Sequence, residues 1–204
     1  MRFILGVDEA GRGPLAGPVA VGVVAVPEGF DVLREFPDVA DSKKLSEKKR
    51  EEIFALLEKC AEQSEVRFTV EFESNETIDR EGIVFSVHRA LSRGVNILAE
   101  KCGHSVSTGL LTSDVHILLD GALRAPSEYT QETIINGDEL VPIISLASIA
   151  AKVVRDRLMI ELSARYPLYG FEKHKGYGTK AHYEALQKYG PCSLHRRSFL
   201  HFAR

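Results

Sequence analysis

Residues 3–26 read FILGVDEAGRGPLAGPVAVGVVAV, and this stretch decides the fold. A short apolar run that ends at the acidic pair Asp8-Glu9 predicts a buried strand over residues 2–8. The valine-rich run over residues 17–26 predicts a second strand, and the glycines and proline within residues 11–14 predict the turn between them. The sequence therefore predicts two strands with an acidic pair and a glycine-rich turn at one end.

Strands and helices alternate along the rest of the chain, and no repeat or linker interrupts them. Strands are predicted over residues 66–72, 116–119 and 133–135, and helices after the Ser46 cap and over residues 83–101, 145–164 and 179–189. This order predicts an α/β fold, a mixed sheet covered by helices on both faces. We expect one domain over residues 1–204, in which residues from about 165 to 204 form a basic helical C-terminal extension.

Composition is that of an ordinary globular protein, with 44% hydrophobic and 27% charged residues in 204. The longest apolar run, residues 15–26, contains Pro18 and is too short to span a membrane, so we expect no membrane anchor. Cys60, Cys102 and Cys192 form no Cys-x-x-Cys pair. This pattern is typical of reduced thiols and predicts a cytoplasmic protein.

Charge is distributed unevenly along the chain. Residues 172–204 carry seven Lys and Arg against two Glu, a balance of +5 in a chain whose net charge is −3. Such asymmetry indicates a basic tail that contacts phosphate. A solvated basic surface fits the charge alone equally well.

Carboxylates lie at or just after several predicted strands: Asp8 and Glu9, then Asp120, then Asp138 ahead of the long helix. A single acid at a strand end is usually a solvated turn residue, but several brought together repel unless a cation is bound. Oxygen ligands favour Mg²⁺ or Mn²⁺ over zinc, and two such ions can drive phosphodiester hydrolysis. Since neighbouring residues of a strand point to opposite faces, Asp8 and Glu9 converge only if the strand breaks there, which the glycine-rich turn would permit.

The loop Gly11-Arg12-Gly13 has two interpretations. A tight turn explains it, and it lacks the third glycine and following helix of a dinucleotide fingerprint. Alternatively, its bare backbone N–H groups contact a substrate while Arg12 is free for a phosphate. Lys43, just before the helix that Ser46 caps, either flanks an ordinary cap or contacts a nucleic-acid backbone.

Two further segments carry polar side chains in patterns with more than one interpretation. Helical spacing places Ser148, Lys152 and Asp156 on one face, where a Lys152–Asp156 surface ion pair is the default. Tyr177 lies between glycines near basic residues, so its ring can face a nucleic acid as well as a core. The histidines around it, at positions 174, 182 and 195, could bind a metal, but the carboxylates are the better match.

Six blocks together resemble the ribonuclease HII family, the type 2 ribonucleases H, in its bacterial form. They are residues 7–18 (VDEAGRGPLAGP), 41–46 (DSKKLS), 119–121 (LDG), 137–138 (GD), 147–156 (ASIAAKVVRD) and 174–179 (HKGYGT). The resemblance implies a ribonuclease H-like fold with a five-stranded mixed sheet flanked by helices and a helical C-terminal extension. It also implies an endonuclease that cuts the RNA strand of RNA–DNA hybrids, and duplex DNA 5′ of single ribonucleotides, leaving 3′-hydroxyl and 5′-phosphate ends in ribonucleotide excision repair.

The same resemblance assigns roles to particular residues. It implies that Asp8, Glu9, Asp120 and Asp138 hold Mg²⁺ or Mn²⁺, with Glu139 as the alternative to Asp138. It places Gly11, Arg12 and Gly13 on the loop that senses the ribose 2′-hydroxyl, and Tyr177 on the tyrosine that stacks against the neighbouring sugar. Lys43 completes the expected substrate-binding set. The expected partners are RNA–DNA hybrids and ribonucleotide-containing duplex DNA, bound by a monomer, and nothing in the sequence indicates a protein partner.

Three alternative functions are compared with this interpretation. Ribonuclease HIII normally carries an N-terminal substrate-binding domain, for which a first acid at position 8 leaves no room. A non-catalytic nucleic-acid-binding module predicts binding that is indifferent to magnesium, without strand cutting. A nucleotide-binding regulatory protein would need a P-loop lysine pattern that the sequence lacks.

Overall fold

A five-stranded mixed sheet forms the centre of the computed structural model, which describes residues 2–39, 45–64, 66–103 and 115–200. Its strand order is β3-β2-β1-β4-β5. The antiparallel pairs are β1–β2 and β2–β3, and the parallel pairs are β1–β4 and β4–β5. The strands are β1 (Phe3–Ala10), β2 (Val19–Pro27), β3 (Arg67–Glu73), β4 (Val115–Asp120) and β5 (Thr130–Ile134). The mixed α/β sheet expected from the sequence is confirmed.

Helices cover both faces of this sheet. They are α1 (Val32–Glu35), α2 (Glu47–Glu62), α3 (Asn75–Glu81), α4 (Ile83–Lys101), α5 (Gly137–Leu140), α6 (Pro142–Ser163), α7 (Phe171–His174) and α8 (Lys180–Tyr189), followed by a 3-10 turn (Arg197–Phe199). Ser46 caps α2 and Thr179 caps α8. The Ser46 side chain accepts a hydrogen bond from the Lys49 N–H, and the Thr179 side chain accepts one from the His182 N–H. No helix in the described ranges is long and apolar enough to cross a membrane.

The two faces of β1 are built differently. Leu5 and Val7 belong to one core, which α4 covers. On the other face Gly6 leaves room for α6, because a Cβ there would collide with the Ile143 carbonyl. Gly22 of β2 plays the same part beneath Ala147. The backbone of α6 therefore lies directly on β1 and β2, on the face to which Asp8 also points.

The strand break that would let Asp8 and Glu9 converge on one face is absent. β1 stays paired with β2 in regular antiparallel register as far as Ala10 opposite Ala20. The turn begins only at Gly11, whose φ of +90° favours glycine. The prediction that β1 ends at residue 8 was therefore wrong by two residues, because the ladder continues through the acids. Asp8 and Glu9 leave the strand on opposite faces.

A third apolar cluster joins the turn after β1 to the C-terminal elements. Leu15 and Ala16 pack there with Met159 of α6, and the remaining buried members come from residues 169–194, namely Tyr169, Phe171, Leu186 and Leu194. The peptide groups pair as well: Gly17 N–H donates to the Leu194 carbonyl at 2.9 Å. The segments after α6 are thus held against the glycine-rich turn.

Candidate active site

Asp8 and Asp120 lie side by side where the parallel pairing of β1 with β4 ends. The register pairs Val7 with Leu119, and each acid is the next residue along its strand. Asp8 is buried and Asp120 is half-buried. The sheet thus brings together two of the acids that the sequence predicts.

Negative charge accumulates around Asp8. Burial raises the pKa of Asp8 well above its usual value, and the charges of Glu9 and, more weakly, Asp120 raise it further. A hydrogen bond with Ser148 of α6 acts in the opposite direction. An ionised carboxylate here is costly in the protein alone, which is the situation that a bound cation relieves.

Asp138 joins this group from α5. Its side chain is buried, with 1% of the residue exposed, and its N–H donates to Asp120 Oδ1 at 3.3 Å. Its carbonyl accepts a 2.6 Å hydrogen bond from the Ser145 hydroxyl at the start of α6. Glu139, the alternative to Asp138, is exposed on the same helix. The backbone of Asp138 thus contacts Asp120, and the burial of Asp138 beside the exposed Glu139 favours Asp138 as the fourth acid.

Glu9 completes the predicted acidic set. Its Oε1 accepts a 3.1 Å hydrogen bond from Arg12, while its Oε2 is buried and accepts none from the described chain. Among the described residues, no three Asp, Glu, His or Cys side chains stand at the spacing of a closed metal site. Glu9 leaves β1 on the face opposite Asp8, yet its charge and that of Asp120 both act on Asp8. Carboxylate oxygens are ligands that fit a hard divalent cation. Asp8, Glu9, Asp120 and Asp138 are the residues that could hold it.

A cavity of about 400 Å³ opens beside Glu9 and contains most of the predicted substrate-binding residues. Its lining consists of Glu9, Ala10, Gly11, Arg12, Gly13, Arg50, Ser148, Ile149, Lys152 and Tyr177. The glycine loop and Tyr177, 164 or more residues apart in the chain, therefore meet at one site. Lys43 lies outside the described residues.

Two cationic side chains of this cavity, Lys152 and Arg50, were not predicted to bind substrate. Lys152 forms the predicted ion pair with Asp156 at 2.9 Å, and its Nζ also lies 5.5 Å from the centre of the Tyr177 ring. Arg50 of α2 donates to the Leu45 carbonyl at 2.5 Å and reaches the cavity wall. Nothing in the sequence around Arg50 distinguishes it from the other charged residues of that helix.

His174, His182 and His195 have a structural role. The ring of His182 stacks on His174 at 4.4 Å and its Nε2 lies 3.0 Å from His195 Nε2, and all three contact the Phe171 ring. Burial, helped by the neighbouring His182, lowers the pKa of His195 to about 4. These rings pack in the third apolar cluster and line no part of the cavity, so the carboxylates remain the metal candidates.

Comparison with known proteins identifies the family and agrees with the fold. The family described as Ribonuclease HII matches residues 5–202. Ribonuclease HII of Caldicellulosiruptor bescii is 44% identical over 98% of this chain and 87% of its own length. That of Endomicrobium trichonymphae is 43% identical over 96% and 84%.

Solved structures give the same fold. Ribonuclease H2 of Pyrococcus horikoshii superposes with a TM-score of 0.66 and 26% identity over 96% of this chain and 93% of its own. The ribonuclease HII in a complex with PCNA from Archaeoglobus fulgidus superposes with a TM-score of 0.72 and 23% identity. This match covers 99% of this chain and 97% of the other. A Bst ribonuclease HIII in complex with Mn²⁺ superposes with a TM-score of 0.64 and 18% identity, over 93% of this chain and 63% of the other. The expected ribonuclease H-like fold is confirmed.

Proposed function

The chain belongs to the ribonuclease HII family of metal-dependent endonucleases, which hydrolyse phosphodiester bonds in RNA–DNA substrates, and we propose that it cuts both RNA–DNA hybrids and single ribonucleotides embedded in duplex DNA. Cleavage falls on the 5′ side of the ribonucleotide and leaves 3′-hydroxyl and 5′-phosphate ends. The observation that carries this proposal is one cavity lined by Glu9, the glycine loop and the partly exposed Tyr177, with Glu9 in electrostatic contact with the buried Asp8.

The four carboxylates are proposed as ligands of Mg²⁺ or Mn²⁺. Two observations support this proposal. Asp8 and Asp138 are buried, and the negative charges of Glu9 and Asp120 add to the cost of ionising Asp8. Two such ions, when bound, supply activation of the attacking water and neutralisation of the leaving oxygen. The protein's part would be to present carboxylates from β1, β4 and α5 to the ions, and to keep bulk water away from the buried Asp8 and Asp138.

The glycine loop is proposed to select ribose. The backbone N–H groups of Arg12 and Gly13 donate no hydrogen bond to any described residue, and both residues line the cavity. A 2′-hydroxyl both donates and accepts, so such backbone groups distinguish ribose from deoxyribose without reading a base.

Tyr177 and the cations around it are proposed to hold the strand. Tyr177 is 40% exposed and lines the cavity, which supports stacking of its ring on the sugar next to the ribonucleotide. Arg12 and Lys152, at the cavity wall, are proposed to contact phosphates, and Lys43 is proposed as a further contact. A monomer of one catalytic domain with its C-terminal extension, working in the cytoplasm, completes the proposal.

A cleavage assay on matched duplexes tests this function. Four labelled duplexes of one sequence would be compared: all-DNA, one ribonucleotide, four ribonucleotides, and a full RNA–DNA hybrid. In Mg²⁺ or Mn²⁺ we expect cleavage of every ribonucleotide-containing duplex and none of the all-DNA duplex. Excess EDTA should abolish cleavage. Hybrid binding without cleavage in either metal would instead identify a non-catalytic binding module.

A further inference from the structure

Two arginines are fully buried behind the glycine loop, and the guanidinium groups of both donate hydrogen bonds to backbone carbonyls. Arg155 lies in α6, and Arg196 precedes the C-terminal 3-10 turn. Neither forms an ion pair within the described chain. Burying a cation without a counter-ion is costly, and the cost must be offset by hydrogen bonds in good geometry. Six carbonyls accept from the two groups.

Arg196 fixes the peptide planes of the glycine loop. Its Nη2 donates to the Gly11 carbonyl at 2.7 Å and its Nη1 to the Arg12 carbonyl at 2.8 Å. Its Nε donates to the Gly17 carbonyl at 2.9 Å. In a trans peptide the C=O and N–H point in opposite directions. Because the Gly11 and Arg12 carbonyls face Arg196, the N–H groups of Arg12 and Gly13 face away from it, towards the cavity.

Arg155 joins this loop to the tyrosine segment. It donates to the carbonyls of Pro18 at 2.9 Å and Ala16 at 3.3 Å, and to the Lys175 carbonyl at 3.0 Å. Its Cζ lies 5.9 Å from the centre of the Tyr177 ring. One guanidinium thus sets the distance between the turn after β1 and the residue that carries the ring.

Close packing leaves the loop little freedom to move relative to Arg155. A Cβ at Gly11 would collide with the Arg155 side chain, so the backbone of the loop rests directly on the guanidinium. The Leu15 N–H also donates to the Gly176 carbonyl at 2.8 Å. The loop and the tyrosine segment therefore form one rigid wall of the cavity.

Arg196 is itself held from a third direction. Asp79 of α3 accepts from the N–H groups of Arg197 and Ser198 at 2.8 and 2.9 Å and from the Ser198 hydroxyl at 2.6 Å. The Arg196 N–H donates to the Leu15 carbonyl at 2.8 Å. Burial, and next the charge of Arg155, lower the pKa of Arg196 to about 9, so its guanidinium stays protonated at neutral pH.

We propose that Arg155 and Arg196 are positioning residues for ribose selection, which act through loop carbonyls without touching the substrate. Arg196 turns the loop N–H groups into the cavity, and Arg155 sets their distance from the Tyr177 ring. The inference rests on the proposed function of the loop and adds the part of the protein that gives the loop its geometry. It also assigns a role to the C-terminal extension, since Arg196 lies within it.

Conservative variants separate positioning from charge and from folding. Arg196→Lys and Arg155→Lys keep the positive charge but lose the planar fork that reaches three carbonyls at once. Arg157→Lys is the matched control, because Arg157 is exposed on α6 and pairs with Glu51. Urea unfolding identifies the variants that are folded at the assay temperature.

Affinity is measured in excess EDTA for two duplexes that differ by one 2′-hydroxyl, and cleavage is measured in Mg²⁺. Wild type and Arg157→Lys should prefer the ribonucleotide duplex. In Arg196→Lys and Arg155→Lys that preference and the kcat/KM for cleavage should each fall about tenfold, the equivalent of a single hydrogen bond to the sugar, with all-DNA affinity within about twofold of wild type.

The contrary results are distinct. Folded Arg→Lys variants that keep the full ribose preference overturn the positioning role and leave the proposed function intact. An equal loss of affinity for both duplexes also overturns it, because the arginines then act as general charge or structural support. Wild type that binds and cuts without regard to the 2′-hydroxyl overturns the proposed function itself.

Discussion

Single residues at the ends of β1 and β4 carry the electrostatic cost of the site. Asp8 is buried, and its pKa is raised by that burial and by the neighbouring acids. A group whose pKa is higher in the folded than in the unfolded state destabilises the folded protein when it is ionised at neutral pH. The metal-free protein is therefore strained at the place where the metal is proposed to bind.

Replacing Asp8 separates function from stability. Asp8→Asn keeps an oxygen that can accept from Ser148 and removes the charge. We expect cleavage to fall by about a thousandfold or more, since a metal ligand is lost, while the metal-free Tm stays equal or rises. Cleavage rates and thermal unfolding in EDTA check this. A marked fall in Tm would show that Asp8 is needed for folding and not only for the metal.

Asp138 and Glu139 offer a matched pair on one short helix. Asp138 is buried beside Asp120 and Glu139 is exposed. Asp138→Asn should therefore raise the Mg²⁺ concentration needed for half-maximal cleavage by about tenfold or more, the worth of one ligand, while Glu139→Gln changes it little. Magnesium titrations of both variants decide the assignment. The opposite ranking would make Glu139 the ligand.

Tyr177 tests the reading of the sugar. Tyr177→Ala should cost roughly 1–3 kcal/mol in kcat/KM on a single-ribonucleotide duplex, if its stacking resembles that of a base on an aromatic ring. Tyr177→Phe keeps the ring and should retain most of the activity. Equal rates for wild type and Tyr177→Ala on that duplex would remove the proposed role.

Which site residues the sequence could predict depended on the kind of contact. Acids at strand ends and glycines in a turn have local patterns, so they were found. Arg155 and Arg196 were not predicted, because they bind backbone carbonyls far away in the chain. Pro18 lies 137 residues from Arg155, and Gly11 lies 185 residues from Arg196. Every residue has a backbone carbonyl, so a hydrogen bond to one produces no recognisable sequence pattern.

Elements with a clear hydrophobic period were predicted closely. The helix predicted over residues 83–101 has those bounds in α4, and the alternating residues 66–72 correspond to β3, one residue later. The four-residue helices α1, α5 and α7 are too short for a period and were not predicted. Asp138 lies in one of them, so its approach to Asp120 could not be derived from the helical pattern that follows.

The histidine pair of α8 and the C-terminal segment is an element that acid should weaken. The Cys192 N–H donates to His195 Nδ1 at 3.0 Å, which leaves the proton of the neutral His195 ring on Nε2, where it faces His182. His182 Nδ1 in turn contacts the Tyr177 carbonyl at 2.9 Å. This chain of hydrogen bonds needs neutral rings.

The pKa of His195, about 4 in the folded protein, lies below its unfolded value, so the unfolded state binds more protons as the pH falls. Stability is complete above the unfolded value and is lost as the pH falls towards 4. We expect a loss of ~2 kcal/mol from this group between about pH 7 and pH 5, read from urea unfolding. His195→Gln should flatten this dependence, whereas His88→Gln on α4 should not. An unchanged slope in His195→Gln would contradict the assignment.

In the whole molecule, the C-terminal extension completes the site that the sheet begins. The sheet supplies the acids, while residues from Tyr169 to Leu194 pack on the turn after β1 and Arg196 reaches the glycine loop. The basic balance of this region suits a surface next to a phosphate backbone. Glu9 of the proposed metal site and the loop proposed to recognise the sugar thus line one cavity.

The most direct measurement maps the ends produced from a duplex that contains one ribonucleotide. Wild-type protein in Mg²⁺ should give a single cut at the phosphodiester 5′ of the ribonucleotide, with a 3′-hydroxyl on one fragment and a 5′-phosphate on the other, whichever base the ribonucleotide carries. Asp120→Asn, and wild type in EDTA, should give no product. A cut on the 3′ side, a 2′,3′-cyclic phosphate end, or full activity in EDTA would contradict a carboxylate-held metal centre that selects ribose.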